Sequence, residues 1–223
     1  MSHQLPLDLK TADRFSRERF VADAALSDVL DVLLTPQAWV APHLVVLGPP
    51  GSGKTHLGHI FAAETGARFL PAEETNQTVD GDGSLVVDDA ERASQETLFH
   101  LYNRVQSSGQ NLVLLTEIQP LQWRVTVPDL QSRLASMRVL TLPEPDDDLL
   151  AAILNKLFAE RAISPSPDAV AYIAGRMDRS VAAAQKIVTE LEHYANGRAF
   201  NRALARNFFE DSVDLPLEED ENG

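Results

Sequence analysis

Short apolar runs and helix-period segments alternate through the first two thirds of the chain. ALSDVLDVLL (Ala25 to Leu34) spaces its apolar residues as a helix with one buried face does. HLVVLG (His43 to Gly48) is instead a continuous apolar run stopped by Gly-Pro-Pro-Gly, the pattern of a strand buried on both faces of a parallel sheet. The pattern then predicts a helix from Lys54 to a stop at Gly66 and a second strand in ARFLPA (Ala67 to Ala72). A polar loop over EETNQTVDGDGS (Glu73 to Ser84) and a third strand in LVVDD (Leu85 to Asp89) follow. SQETLFHLYNRVQSSG (Ser94 to Gly109) predicts a helix with hydroxyl residues at its start and glycine at its end. NLVLLTE (Asn111 to Glu117) is the fourth strand.

After Glu117 the alternation loosens. Residues 120–137 predict a linker with one short helix, and RVLTLPEP (Arg138 to Pro145) a fifth strand closed by prolines. Beyond Pro145 only helical periods occur: Asp146 to Ala162, Ser166 to Met177, Ser180 to Gly197, and a shorter segment from Asn201 to Glu210. Alternation followed by helices alone predicts a parallel αβα sandwich joined to a small helical lid. The expected divisions are an arm over 1–11, an α/β core over 12–145, a lid over 146–210 and an acidic, disordered tail over 211–223.

Composition narrows the function classes. The chain lacks cysteine, which excludes disulfides and thiolate metal sites. Its net charge of -14 leaves little to gain from displacing counterions on DNA, so any link to DNA is expected to be indirect, through a partner protein. No apolar run is long enough to span a bilayer, and the first residues lack a basic stretch followed by an apolar one. The expectation is a cytoplasmic protein with no membrane partner.

One motif carries specific chemistry. Gly48, Pro49, Pro50, Gly51, Ser52, Gly53, Lys54 and Thr55 match G-x-x-x-x-G-K-[ST] in full, between a predicted strand and a predicted helix. The glycines let successive backbone N–H groups turn onto phosphate oxygens, and the helix N-terminus adds its positive end. Lys54 is expected on the β- and γ-phosphates and Thr55 on Mg2+. ADP and ATP both satisfy this chemistry. Asp88, carried to the strand's end by LVVDD, is expected to hold Mg2+ through water, and Asp89 is a candidate for orienting an attacking water. Aspartate is one methylene shorter than glutamate there, so only weak intrinsic hydrolysis is expected. Thr116 could touch the γ-phosphate or be an ordinary strand-end threonine. Arg133, on a short helix before the fifth strand, is a candidate site residue or a plain surface arginine. Arg179 and Arg176 compete for the role of a lid arginine reaching the nucleotide. Trp39 and Trp123 are read as packing residues.

In this order, the P-loop, the Asp-Asp pair, Ser132-Arg133 before the fifth strand and Asp178-Arg179-Ser180 before a lid helix resemble the AAA+ family. Within that family they resemble the bacterial replication initiator DnaA. LGPPGSGKTHLGHI, including His56 and Leu57, is similar to the initiator's P-loop; VVDDAERASQETLFHLYN resembles its Asp-Asp segment and RFVADAALS its stretch near the adenine. The resemblance covers about residues 12–197 and implies an AAA+ module that binds an adenine nucleotide and Mg2+. It places His56 and Arg179 at the nucleotide and makes Arg133 a finger for a neighbouring subunit. It departs where the initiator has an acidic residue after the fourth strand: ungapped alignment puts Ile118 there, and Thr116 is the substitute.

The arm adds a partner. QLPLDL (Gln4 to Leu9), with Gln4, Leu5, Leu7 and Leu9, resembles the clamp-binding motif of proteins that dock on the DNA polymerase sliding clamp. An extended peptide with alternate side chains in pockets is a known recognition mode. With no helix-turn-helix DNA reader expected after the lid, the resemblance implies a clamp-docked negative regulator of DNA replication initiation that activates hydrolysis by DnaA. Two alternatives are a self-contained AAA+ ATPase, such as a loader or remodeller, and a non-catalytic clamp–DnaA adaptor. Nothing in the sequence chooses between a monomer and a homodimer.

Overall fold

The computed structural model describes residues 15–76 and 83–213. The chain forms two compact units that divide between Glu144 and Pro145.

Among the described residues, the first unit is built on five strands: β1 (His43–Leu47), β2 (Arg68–Pro71), β3 (Leu85–Asp88), β4 (Leu112–Thr116) and β5 (Arg138–Thr141). They lie in the order β2-β3-β4-β1-β5, and every pairing is parallel. Every residue of β1 and β4 is buried, which is why both read as unbroken apolar runs. Val45 in the centre faces Leu114 on one side and Val139 on the other.

Among the described residues, four α-helices belong to this unit. In α1 (Ala24–Leu33) the Asp23 carboxylate accepts from the Leu26 N–H, so the helix starts one residue before the expected Ala25. α2 (Lys54–Thr65) packs on the sheet through Gly58, where a Cβ would come within 2.6 Å of Leu115 Cδ1 and 3.1 Å of Val86. α3 (Gln95–Ser108) is capped by Ser94, and α4 (Pro128–Ser136) opens on a proline, which lacks the N–H a first turn cannot use. Leu98, Leu101, Tyr102 and Val105 of α3 join Leu130 and Leu134 of α4 over Val45, Val87 and Leu114. Within the expected polar loop, Ala72–Asn76 forms a short 3-10 turn that buries Thr75, whose hydroxyl donates to the Ala72 carbonyl.

The second unit holds α5 (Asp147–Glu160), α6 (Pro167–Ala174), α7 (Val181–Ala195) and α8 (Arg202–Val213). Asp146, Ser166 and Ser180 each cap the helix that follows by accepting a backbone N–H in its first turn. Leu150, Leu154, Phe158, Ile173, Val188 and Leu191 form its buried face. α8 runs on to Val213, past Asp211, where the acidic tail was expected to begin. α8 is held there by contacts with α7 and its own buried face: the Tyr194 hydroxyl of α7 donates to the Asp211 carboxylate, and Leu204, Ala205 and Phe208 are buried. Among the described residues no helix is long and apolar enough to cross a membrane.

Candidate functional site

The loop between β1 and α2 is shaped by two left-handed residues, Gly51 (φ 71°) and Gly53 (φ 98°), a backbone state that costs L side chains energy and glycine little. Their turns bring the loop back over the end of β1. Gly48 N–H donates to the Thr116 carbonyl, and Ser52 N–H to the Pro49 carbonyl. Gly48 has no room for a side chain: a Cβ there would sit 2.6 Å from Ser52 Oγ and 2.9 Å from Leu142.

Lys54 is turned inward at 5% exposure. Its ammonium donates to the carbonyls of Gly48 and Pro49, each at 2.9 Å, and lies 3.6 Å from Glu117 Oε1. Three oxygens therefore hold a buried cation that would otherwise be costly. Thr55 Oγ1 donates to Asp88 Oδ2 at 2.9 Å, joining the P-loop helix to the end of β3. Burial pushes the Asp88 carboxyl above the ordinary range, with the Thr55 hydrogen bond pulling the other way.

Several expected site residues stand differently from one another. Asp89 is left-handed (φ 50°, ψ 43°), and its carboxylate lies 3.6 Å from Arg92 Nη1, so its charge is turned to a surface arginine. Thr116 is fully buried; its hydroxyl donates to the Ile118 carbonyl and accepts from the Ile118 N–H, closing the turn after β4. The side chain after β4 that reaches the P-loop lysine is Glu117, which the sequence reading passed over. Glu117 N–H donates to Glu91 Oε1, so a second carboxylate fixes the backbone that carries it. The signal was available: an acidic residue directly follows an apolar strand, one place before Ile118.

His56 turns away from the loop. Its Nε2–H donates to the Ser16 carbonyl, and its ring meets Phe15 and Phe20 edge-on. Phe20 also lies 3.5 Å from where a Gly53 Cβ would stand, so RFVADAALS begins beside the P-loop. One turn on, His59 is stacked between Phe15 (4.4 Å) and Phe69 (3.9 Å), and burial lowers its pKa.

Arg133 stays within its own unit. It donates to Asn103 Oδ1, and its guanidinium carbon lies 4.6 Å from the Phe99 ring centre and 5.0 Å from that of Tyr102. In the second unit, Arg179 pairs with Asp147 at 2.8 Å and donates to the Pro145 carbonyl, while Arg176 lies over Tyr172 at 3.6 Å. Both rival lid arginines thus have internal partners. Trp39 stacks on Phe61, and Trp123 donates to the Ile118 carbonyl, as packing residues do. The arm residues Gln4, Leu5, Leu7 and Leu9 lie outside the described residues.

The cradle fits a phosphate-bearing ligand. Among the described residues, the buried side-chain polar atoms lacking a hydrogen-bond partner are His43 Nε2, Ser52 Oγ and Glu91 Oε2. Buried polar groups are rarely left so, and Ser52 lies inside the loop that carries the phosphate motif. Among the described residues no cluster of three His, Asp or Glu could hold a metal unaided. Mg2+ fits that arrangement, since it takes one or two protein oxygens and completes its shell with phosphate and water. Thr55 Oγ1 and the Asp88 carboxylate, 2.9 Å apart, are the side-chain oxygens that such a shell would draw on.

No family model matches the chain. An uncharacterized protein of Haemophilus influenzae is 24% identical over 199 residues, covering 81% of this chain and 86% of that one. The initiator DnaA of Cutibacterium acnes is 26% identical over 166 residues, 62% of this chain but only 33% of the initiator. Domain III of Thermotoga maritima DnaA superposes with a TM-score of 0.75 at 19% identity, covering 91% of this chain and 98% of that domain. AMPPCP-bound DnaA of Aquifex aeolicus gives 0.71 at 16% identity, covering 90% of this chain and 70% of that one. A parallel sheet in this order, a P-loop between β1 and α2, and these superpositions define the fold of the chain as the α/β AAA+ P-loop fold of DnaA domain III.

Proposed function

We propose that the chain is a nucleotide-bound negative regulator of bacterial replication initiation, similar to Hda (HdaA). It takes ADP or ATP with Mg2+ at the P-loop and docks on the polymerase sliding clamp through Gln4, Leu5, Leu7 and Leu9. It then stimulates ATP hydrolysis by DnaA through Arg133. The observation that carries the first step is the inward chemistry of the cradle, where Lys54 is ringed by oxygens and the Ser52 hydroxyl is buried without a partner.

Lys54 exchanges part of its oxygen shell for phosphate oxygens, and Thr55 and Asp88 supply protein oxygens for Mg2+. The metal, when bound, neutralises phosphate charge. Arg179 is assigned to the phosphates as well, exchanging Asp147 for a phosphate oxygen. Asp89, turned to Arg92, leaves the chain a weak ATPase by itself. Arg133 brings a permanent planar cation to the phosphates of the partner's nucleotide, and such fingers are worth about 10³ to 10⁵ in rate. Docking on a DNA-loaded clamp raises the local concentration of the regulator near its target without direct DNA contact.

The test is phosphate release from ATP-bound DnaA with clamp loaded on DNA. The intact chain should accelerate it, and Arg133→Ala and Gln4→Ala/Leu7→Ala should each lose the acceleration. A chain that regulates DnaA with Arg133→Ala unimpaired is a non-catalytic adaptor. A second reading, a self-contained AAA+ ATPase, is favoured by Glu117, an acid beside Lys54 that could orient a water. It requires turnover by the chain alone, abolished by Glu117→Gln, with no effect on DnaA.

A further inference from the structure

Phe99, Tyr102 and Asn103 occupy positions i, i+3 and i+4 of α3 and so share one face. Arg133 of α4 lies against that face. Its flat guanidinium rests near two aromatic rings, and one of its nitrogens donates to the Asn103 amide oxygen. The seat is itself supported from beneath. Tyr102 is buried and stacks on the buried ring of His43 at 3.8 Å and 5°. Burial lowers the His43 pKa, so a neutral ring rather than a second cation underlies the seat.

The partners are informative for what they lack. This is a chain of net charge -14, and Arg92, Arg161, Arg179 and Arg206 each pair with a carboxylate. Among the described residues Arg133 has no carboxylate partner; two rings and a neutral amide hold it instead. Ring faces and an amide oxygen fix the place and plane of the guanidinium but leave its full positive charge uncancelled. A guanidinium held in place by two ring faces and a neutral amide is suited to an anion that arrives from outside.

We infer that Asn103 and Phe99 are positioning residues for Arg133: they hold its guanidinium preorganised and uncompensated for a phosphate of a nucleoside triphosphate bound to a partner protein. The inference rests on the reading that Arg133 acts in trans. Its gain is that of an oriented catalytic group over a freely rotating one, where misplacement by about 1 Å costs up to about 100-fold.

The experiment follows stimulated phosphate release from ATP-bound DnaA, with clamp loaded on DNA, at varied concentrations of the full chain. Arg133→Ala, Asn103→Leu, Asn103→Asp and Phe99→Leu are compared, with thermal melts confirming that each folds. Asn103→Leu and Phe99→Leu should lower the saturating rate about 10- to 100-fold while the half-saturating concentration stays put. Asn103→Asp is the decisive arm. It holds the arginine more tightly than asparagine does but cancels its charge, so it too should lose the saturating rate; a packing role would leave it active. If Arg133→Ala abolishes stimulation and the Asn103 and Phe99 variants keep it, the positioning inference is overturned and the finger stands. A faster Asn103→Leu also overturns it, since the contact would then be a restraint. If Arg133→Ala keeps full stimulation, the trans reading itself fails and takes this inference with it.

Discussion

Lys54 and Arg133 are cations of the same unit held by opposite means. Lys54 is buried among oxygens: two carbonyls at 2.9 Å and the Glu117 carboxylate at 3.6 Å. Arg133 is half-buried among two rings and an amide, with no carboxylate partner among the described residues. A lysine ammonium is a compact point charge that trades one oxygen shell for another, so an oxygen-lined cradle suits a phosphate that enters and leaves. A guanidinium is planar and always charged, so a ring-lined seat orients it without spending its charge. On the proposed function, the difference separates a cation for the ligand of its own chain from one for a ligand elsewhere.

The sharpest break of that comparison is Lys54→Ala. It should weaken nucleotide binding at least about 100-fold by titration calorimetry, the scale of losing a buried charge that meets phosphate. Arg133→Ala should leave the same binding curve unchanged. If both variants bind weakly, the two cations do not serve different ligands.

Asp88→Asn should act in two directions. It removes a carboxylate that burial disfavours, so the ligand-free chain should melt higher, by several degrees for about 1 kcal/mol. It also removes the carboxylate proposed for Mg2+, so the Mg2+ dependence of nucleotide binding should flatten. A lower melting temperature without ligand would mean that the Thr55 hydrogen bond to this carboxylate outweighs its burial.

Glu117→Gln should have a smaller effect. It frees Lys54 from a competing carboxylate while keeping the backbone bond to Glu91, so ATP should bind about three- to tenfold more tightly at low salt. Unchanged affinity would show that the pair is too solvated to compete with phosphate.

The smallest effect expected is on stability against pH. His43 and His59 both have pKa values lowered by burial, so the unfolded chain binds protons that the folded chain refuses. Stability is therefore full above about pH 6.5 and falls as pH drops through and below it, by up to about 1.4 kcal/mol per pH unit for each histidine. His43→Phe keeps a ring against Tyr102 and removes one titrating group. In denaturant titrations its stability should fall less steeply with acid, and an equally steep fall would remove His43 as a cause.

Much of this molecule was legible along the chain because the physics there is local. An apolar run, four loop residues flanked by glycines, a lysine and a threonine need only their neighbours to form strand, phosphate loop and helix. Asp88 was equally plain, since a strand with an acid at its end carries that acid to the sheet's edge. The capping residues Ser94, Asp146, Ser166 and Ser180 marked helix starts for the same reason.

What only the tertiary structure decided involves residues brought together across the sheet or between helices. β4 lies beside β1, and this non-consecutive pairing is what sets Glu117 within reach of Lys54 and commits the Thr116 hydroxyl to its own turn. The left-handed backbone at Asp89, whose carboxylate lies beside Arg92, was not foretold by the sequence pattern. The packing of α3 on α4 gave Arg133 its seat of Phe99, Tyr102 and Asn103. Periodicity states which face of a helix is apolar. Which side chains of another element meet that face depends on strand order and helix packing, and those are settled only when the whole unit closes around its core.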